Sequence, residues 1–311
     1  MKKLIKTAGN LLVIAAIVFL IKKIIDMDAD LSQLASPVMI GALAVNFVIQ
    51  TFLFVVGCIP WLGFTRALSA RKIPFSAAMP VYTKSNIYKY VPGNVFQYVG
   101  RNKLAVDMNI SHVDVVCATI LDILFCVFWT GIIALVLLRG RIAGLLEKYG
   151  EQILIVGIAG VILVAAVLIF VRIKFADKLK GYISRYSKAF EKENRKSAMA
   201  GIFYYLGSNC VQAVTYFICL RLVIGSAASF GELTVLTGAF MFAWIIGFIT
   251  PGAPGGIGIR EGVMIFVSGA AHQEKIILFV LIMRLASVFA DLAAFAVGQI
   301  YLSRHKEKNA E

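Results

Sequence analysis

Residues 250–262 read TPGAPGGIGIREG and separate two strongly apolar stretches, 233–249 and 262–271. Pro251, Gly252, Pro254, Gly255, Gly256 and Gly258 crowd into eight positions just ahead of Arg260 and Glu261. Proline removes a backbone donor and blocks a continuous helix, and glycine weakens helix and admits conformations that other residues avoid. In lipid, the N–H and C=O groups freed by such a break are tolerated only against protein or a water-filled cavity. A break of this composition between apolar segments marks a site within a membrane-embedded helical hairpin.

A second stretch supports this. Residues 92–101 read PGNVFQYVGR and residues 251–260 read PGAPGGIGIR, each Pro-Gly, seven residues, then Arg. Sliding the first half forward by the separation of the two prolines lays the apolar run 38–59 onto 197–221. It also lays 115–138 onto 274–297. The chain therefore divides into two repeats, 1–145 and 146–311, within one integral membrane domain.

The composition fits. The chain is 60% hydrophobic with a mean hydropathy of +0.85, well above the usual 45–50% apolar usage of about a soluble domain. A formal charge of +14 is explained by basic loops and anionic lipid headgroups, so nucleic acid is not an expected partner. Cys58, Cys117, Cys126, Cys210 and Cys219 all lie in apolar runs without a CxxC, so neither disulfides nor a metal is expected. The lysines after the first apolar run, Lys22 and Lys23, stand where a cleavage site would need small residues, so this run reads as an uncleaved span.

In order, spans are expected at 4–25, 38–59, 115–138, 152–171, 197–221 and 274–301. Asp26, Asp28 and Asp30 lack the Gly and closing Glu of a calcium loop and read as a solvated acidic loop. Residues 75–103 are too polar for an ordinary span, with Lys84, Asn86, Lys89, Asn94 and Gln97, and break at Pro92-Gly93. They read as a re-entrant hairpin whose Tyr82, Tyr88, Tyr90 and Tyr98 make interfacial contacts; a surface-lying pair of amphipathic helices is the alternative. Residues 172–196 carry nine Lys/Arg and space Leu179, Ile183, Tyr186 and Phe190 as one helical face, an amphipathic helix at a membrane surface. Residues 233–271 form the second re-entrant hairpin.

The expected fold is thus an all-α polytopic membrane protein with six spans and two Pro/Gly-broken hairpins, eight apolar segments in all. With the N-terminus inside, 22 of 31 Lys/Arg fall on cytoplasmic segments, as the positive-inside rule asks. Both termini are then cytoplasmic, in a multi-pass protein of the cell (plasma or inner) membrane. Three crossings per half invert the second repeat relative to the first, the plan of transporters whose sites lie where discontinuous helices meet.

A half-helix that starts after such a break points unpaired N–H groups and a positive dipole end into the membrane. With a nearby arginine it suits an anionic headgroup, phosphate above all. The expected substrate-binding set is Arg101, Arg260 and Glu261 with Pro92, Gly93, Asn94, Pro251, Gly252, Gly255, Gly256 and Gly258. In it Arg260 recognises the headgroup, Glu261 holds Arg260 in place, and Arg101 is the counterpart on the opposite access path. Asp122, Arg284 and Asp291 are the other intramembrane ionisable candidates; ion pairs that only hold helices together, such as Arg284 with Asp122, are the alternative. There is no HExxH, GxSxG or Walker loop, and His112, His272 and His305 are scattered. No catalytic residue and no cofactor is expected.

With both breaks in view, the chain resembles the lysylphosphatidylglycerol synthase transmembrane family, a flippase-like membrane domain. PGGIGIREG (254–262) is close to that family's Pro-Gly-Gly-x-Gly-x-Arg-Glu pattern, and YKYVPGNVFQYVGR (88–101) matches a further block less tightly. The resemblance covers essentially the whole chain. It implies movement of a lipid between leaflets: an anionic, aminoacylated (lysylphosphatidylglycerol in the fused proteins) or polyprenyl-phosphate-type lipid. The alternative is a membrane enzyme, or an enzyme subunit, of lipid or glycoconjugate synthesis, such as a phosphatidylglycerol lysyltransferase. Because the sequence ends at Glu311, the soluble aminoacyl-transfer domain of fused members is expected to be absent. The expected partners are the lipid and either a second copy of the chain or a separate lipid-modifying enzyme.

Overall fold

A computed structural model describes residues 36–151, 191, 195–250, 258–268 and 272–308, apart from 70, 91–95, 107, 145 and 149. The expected spans at 4–25 and 152–171, the acidic loop and nearly all of the basic helix at 172–196 lie outside the described residues. So do Pro92, Gly93, Asn94, Pro251, Gly252, Gly255 and Gly256. Among the described residues the structure is helical, with no strand.

The helices are α1 Pro37–Val56, α2 Cys58–Ser69, α3 Phe75–Asn86, α4 Phe96–Val106, α5 His112–Gly144, α6 Arg195–Ile224, α7 Phe230–Ile249, α8 Ile259–Ser268 and α9 Gln273–Lys308. Several starts follow from local chemistry. Ser36 accepts the Met39 N–H ahead of Pro37, whose missing donor is harmless in a first turn. Ser111 accepts the Asp114 N–H while its hydroxyl donates to the Asp114 carboxylate, and Ser229 accepts the Glu232 N–H. A carboxylate three residues after a serine also complements the N-terminal end of the helix dipole.

Five stretches are long and apolar enough to cross a membrane: Pro37–Ser69, His112–Gly144, Arg195–Ala227, Phe230–Ile249 and Gln273–Arg304. The protein is an all-α polytopic membrane protein. Four of the five correspond to expected spans, and their helices run beyond the apolar windows. At one such end the Arg66 guanidinium donates to the Ile73 carbonyl, just past the end of the helix at Ser69. Val38, Val45, Val48 and Phe52 of α1 are more than half-exposed, as a lipid-facing stripe must be, whereas α7 and α9 are mostly buried at the centre.

The fifth stretch departs from expectation. The first arm of the second hairpin, α7, has 20 residues, about 30 Å at about 1.5 Å per residue, the thickness of a hydrocarbon core. No charge or proline occurs between Leu233 and Ile249, so the helix runs on, through Gly238 and Gly247, until Thr250, which turns extended before Pro251. The return arm, α8, has 10 residues, too short to cross, and packs back on α7. In the first hairpin α3 has 12 residues and α4 has 11, and they pack on each other. Ala78, Met79, Tyr82, Gln97 and Arg101 there are buried, so this pair packs into the helical body.

Two packing features fix where the hairpins sit. Helices α2 and α6 lie backbone to backbone: a Cβ at Gly63 would stand 2.5 Å from the Ser197 carbonyl oxygen, and one at Gly201 3.0 Å from Pro60 Cα. Small residues allow this approach in membranes, where packing rather than hydrophobicity drives association. The last helix, α9, packs against α1 and α3 of the first half as well as α6 and α8 of the second. A side chain at Gly298 would collide with Thr83 of α3.

Candidate functional site

Between these elements lies a cavity of about 420 Å³. The first half contributes Gln50, Lys89, Tyr90 and Arg101 to its lining, and the second contributes Tyr205, Gln212, Arg260 and Arg284. The two arginines that follow the two Pro-Gly breaks therefore meet at one cavity. Their surroundings differ.

Arg101 is 2% exposed and fully engaged. Its Nη1 donates to Asp122 at 3.1 Å, Nη2 to Asn86 at 2.8 Å and Nε to Ser85 at 3.3 Å. Its guanidinium lies 4.0 Å from the centre of the Tyr82 ring. The other carboxylate oxygen of Asp122 accepts from Tyr205 of α6. Charge, donors and flat face are all matched, which is what a buried ion pair requires to persist.

Arg260 is half-buried at the start of α8, and no hydrogen bond or ion pair joins it to a described residue. Its Nε is buried without an acceptor. The expected role of Glu261 is corrected here. Its carboxylate accepts the Gly258 N–H at 3.0 Å and stands 3.5 Å from Arg284 of α9, not against Arg260. Consecutive residues on a helix do not face each other, so Glu261 cannot lie along the neighbouring arginine. Gly258, at φ +84°, takes the left-handed turn that lets its N–H meet that carboxylate. Arg284 and Asp122, paired in the alternative reading, have separate partners: Glu261 for the one, Arg101 and Tyr205 for the other.

Asp291 of α9 receives Lys89 at 2.5 Å and the Tyr90 hydroxyl at 2.6 Å, both from the segment just before the first break. Lys89 also lies 4.9 Å from the centre of the Phe54 ring. This ion pair joins one half of the chain to the other. Among the described residues no cluster of His, Cys, Asp or Glu could hold a metal ion.

Residues 8–294 match the family model described as the lysylphosphatidylglycerol synthase TM region. The chain belongs to this family. The lysylphosphatidylglycerol synthase TM match takes in both hairpins, the charged side chains that line the cavity, from Lys89 to Arg284, and Asp291, the partner of Lys89. No curated protein and no solved structure matches the chain.

Within this family member, sequence reasoning missed Lys89, Tyr90, Tyr205 and the polar ladder of α1 and α6. Tyr82, Tyr90 and Tyr98 line the cavity rather than the membrane interface. Gln50 donates to Asn46, and Asn209 accepts from Thr130. The usable signal was polarity without charge inside apolar runs: Asn46 and Gln50 in one, and Asn209 and Gln212 in its counterpart.

Proposed function

We propose that this protein moves a lipid with an anionic, phosphate-bearing headgroup between membrane leaflets, holding the headgroup at Arg260. One observation carries the proposal: Arg260 lines a membrane cavity with no counter-ion among the described residues, while Lys89, Arg101 and Arg284 each have a carboxylate. An intramembrane cation is costly enough to be functional by default, and a guanidinium binds phosphate through two parallel hydrogen bonds. The volume lies within the range of small-molecule sites, about 300–1,000 Å³. It suits a headgroup and leaves the acyl chains in the bilayer.

The order of elements supports inverted repeats at 1–145 and 146–311. A 33-residue stretch, a hairpin and a second 33-residue stretch in the first half recur in the second as stretches of 33 and 32 residues around the other hairpin. The basic bias supports cytoplasmic termini in the cell membrane. The family description, which names a synthase, supports a second reading: a membrane subunit that presents lipid to a separate transferase.

The test is leaflet-to-leaflet movement of a labelled anionic lipid in proteoliposomes. Arg260→Ala should weaken lipid affinity about tenfold to a hundredfold, the loss of a charge-assisted hydrogen bond of about 1.5–3 kcal/mol. Well-folded Arg260→Ala moving lipid at the unmutated rate would sink the proposal. Protein that supports no movement itself, yet binds lipid and raises the output of an added transferase, would favour the second reading.

A further inference from the structure

We infer that the cavity seats, beside the phosphate, an uncharged group rich in hydroxyls, a sugar or a cyclitol ring. The inference rests on the reading of Arg260 as the phosphate site and adds the rest of the headgroup. One phosphorus and four oxygens are small against a cavity of about 420 Å³. Most of the space belongs to whatever the phosphate carries.

Part of the wall around that space is polar without being charged. Gln50 of α1, Ser208 and Gln212 of α6 and Ser287 of α9 all line it. Gln50 is 5% exposed and donates its amide N–H to Asn46; no described residue donates to its carbonyl oxygen. Gln212 is the converse. Its carbonyl oxygen accepts the Tyr216 hydroxyl at 2.9 Å, and no described residue takes its N–H groups. Tyr216 in turn lies within electrostatic reach of Arg260, so Gln212 is near the arginine. An ammonium only donates and a carboxylate only accepts, but a hydroxyl does both. An open acceptor and an open donor, neither of them ionic, match a group that does both.

The second feature is a flat apolar wall. Trp244 and Phe248, one helical turn apart on α7, line the cavity with their rings stacked at 5.0 Å and 9°. Among the described residues no cation lies over either ring, unlike Tyr82 and Phe54, and none accepts from the Trp244 indole N–H. Tryptophan offers an apolar body with one polar handle. A sugar or cyclitol ring has the complementary shape, with C–H groups across its faces and hydroxyls round its edge.

The experiment measures displacement of a fluorescent short-chain phosphatidylmethanol from the purified full-length protein. Two matched pairs of competitors all carry one negative charge. Phosphatidylinositol is set against phosphatidylmethanol, and a hexosyl phosphate against a methyl phosphate on the same polyprenyl tail. In at least one pair the ring headgroup should compete better by about tenfold, the scale of one or two net hydrogen bonds. The pair that shows it distinguishes cyclitol from sugar. Gln212→Met and Trp244→Leu should shrink that ratio, which loss of folded protein does not change. No preference in either pair overturns the inference and leaves the phosphate reading intact. A preference undiminished in both variants overturns it as well. A reporter that fails to bind overturns both readings.

Discussion

Arg101 and Arg260 occupy the same place after their Pro-Gly breaks, and both line one cavity, yet their surroundings are opposite. Arg101 has a carboxylate, an amide, a hydroxyl and an aromatic face. The carboxylate next to Arg260 in the chain, Glu261, faces away from it and reaches across to α9. The position equivalent to Glu261 in the first hairpin is Asn102, and the carboxylate of that half stands on the long helix, at Asp122. Exchanging which element bears the acid and which the base saturates one arginine and leaves the other open. Sequence equivalence of two arginines therefore does not imply equal surroundings: one is saturated by its neighbours, and the other has no hydrogen bond or ion pair among the described residues.

The largest expected effect comes from breaking the saturated side. Asp122→Ala strands Arg101 in a buried site and should cost about 3–5 kcal/mol, whereas replacing both partners by apolar residues should cost far less. Thermal unfolding of Asp122→Ala and of Arg101→Met with Asp122→Leu checks this. Equal stability of the single and double variants would mean that Arg101 is not locked by its acid. Arg260→Ala should then show the reverse profile: unfolding close to the unmutated protein, with about 1.5–3 kcal/mol lost only from lipid binding. A large drop in unfolding temperature would put Arg260 with Arg101.

A smaller effect is expected at the junction of the halves. Asp291→Asn keeps an acceptor for Tyr90 but releases Lys89, whose side chain is 28% exposed and can turn to water. The expected loss is about 1 kcal/mol or less, read by the same unfolding measurement. A loss as large as that of Asp122→Ala would show that the halves depend on this pair as much as the first hairpin depends on Arg101. Smallest of all, Arg304→Ala, on the exposed end of α9, should stay within about 0.5 kcal/mol and leave lipid movement unchanged.

Much of this was legible in the sequence for a simple reason. Hydropathy reports which segments prefer lipid, and Pro-Gly reports where a helix must stop, so the apolar helices, both breaks and Arg260 could be read directly. The pairing of charges could not. Asp122 lies 21 residues from Arg101 and Asp291 lies 201 from Tyr90, and which acid meets which base depends on how α5 and α9 come to lie against the first hairpin. The turn of Glu261 away from Arg260 follows from helix geometry, once α8 is known to begin at Ile259. The length of α7 was open to reading too, since neither a charge nor a proline falls between Leu233 and Ile249.

The crossing of α9 also bears on how the protein is made. Its side chains complete the packing of α1 and α3, supply Asp291 to Lys89, and bring Gly298 against Thr83. Residues 273–308 leave the ribosome after every element they complete. The first hairpin must therefore wait in the bilayer with Lys89 lacking its acid and Tyr90 its acceptor until the last long helix is inserted. The packing of the first hairpin is thus completed late, and a ribosome stalled before residue 273 would leave a half-built core exposed to membrane quality control.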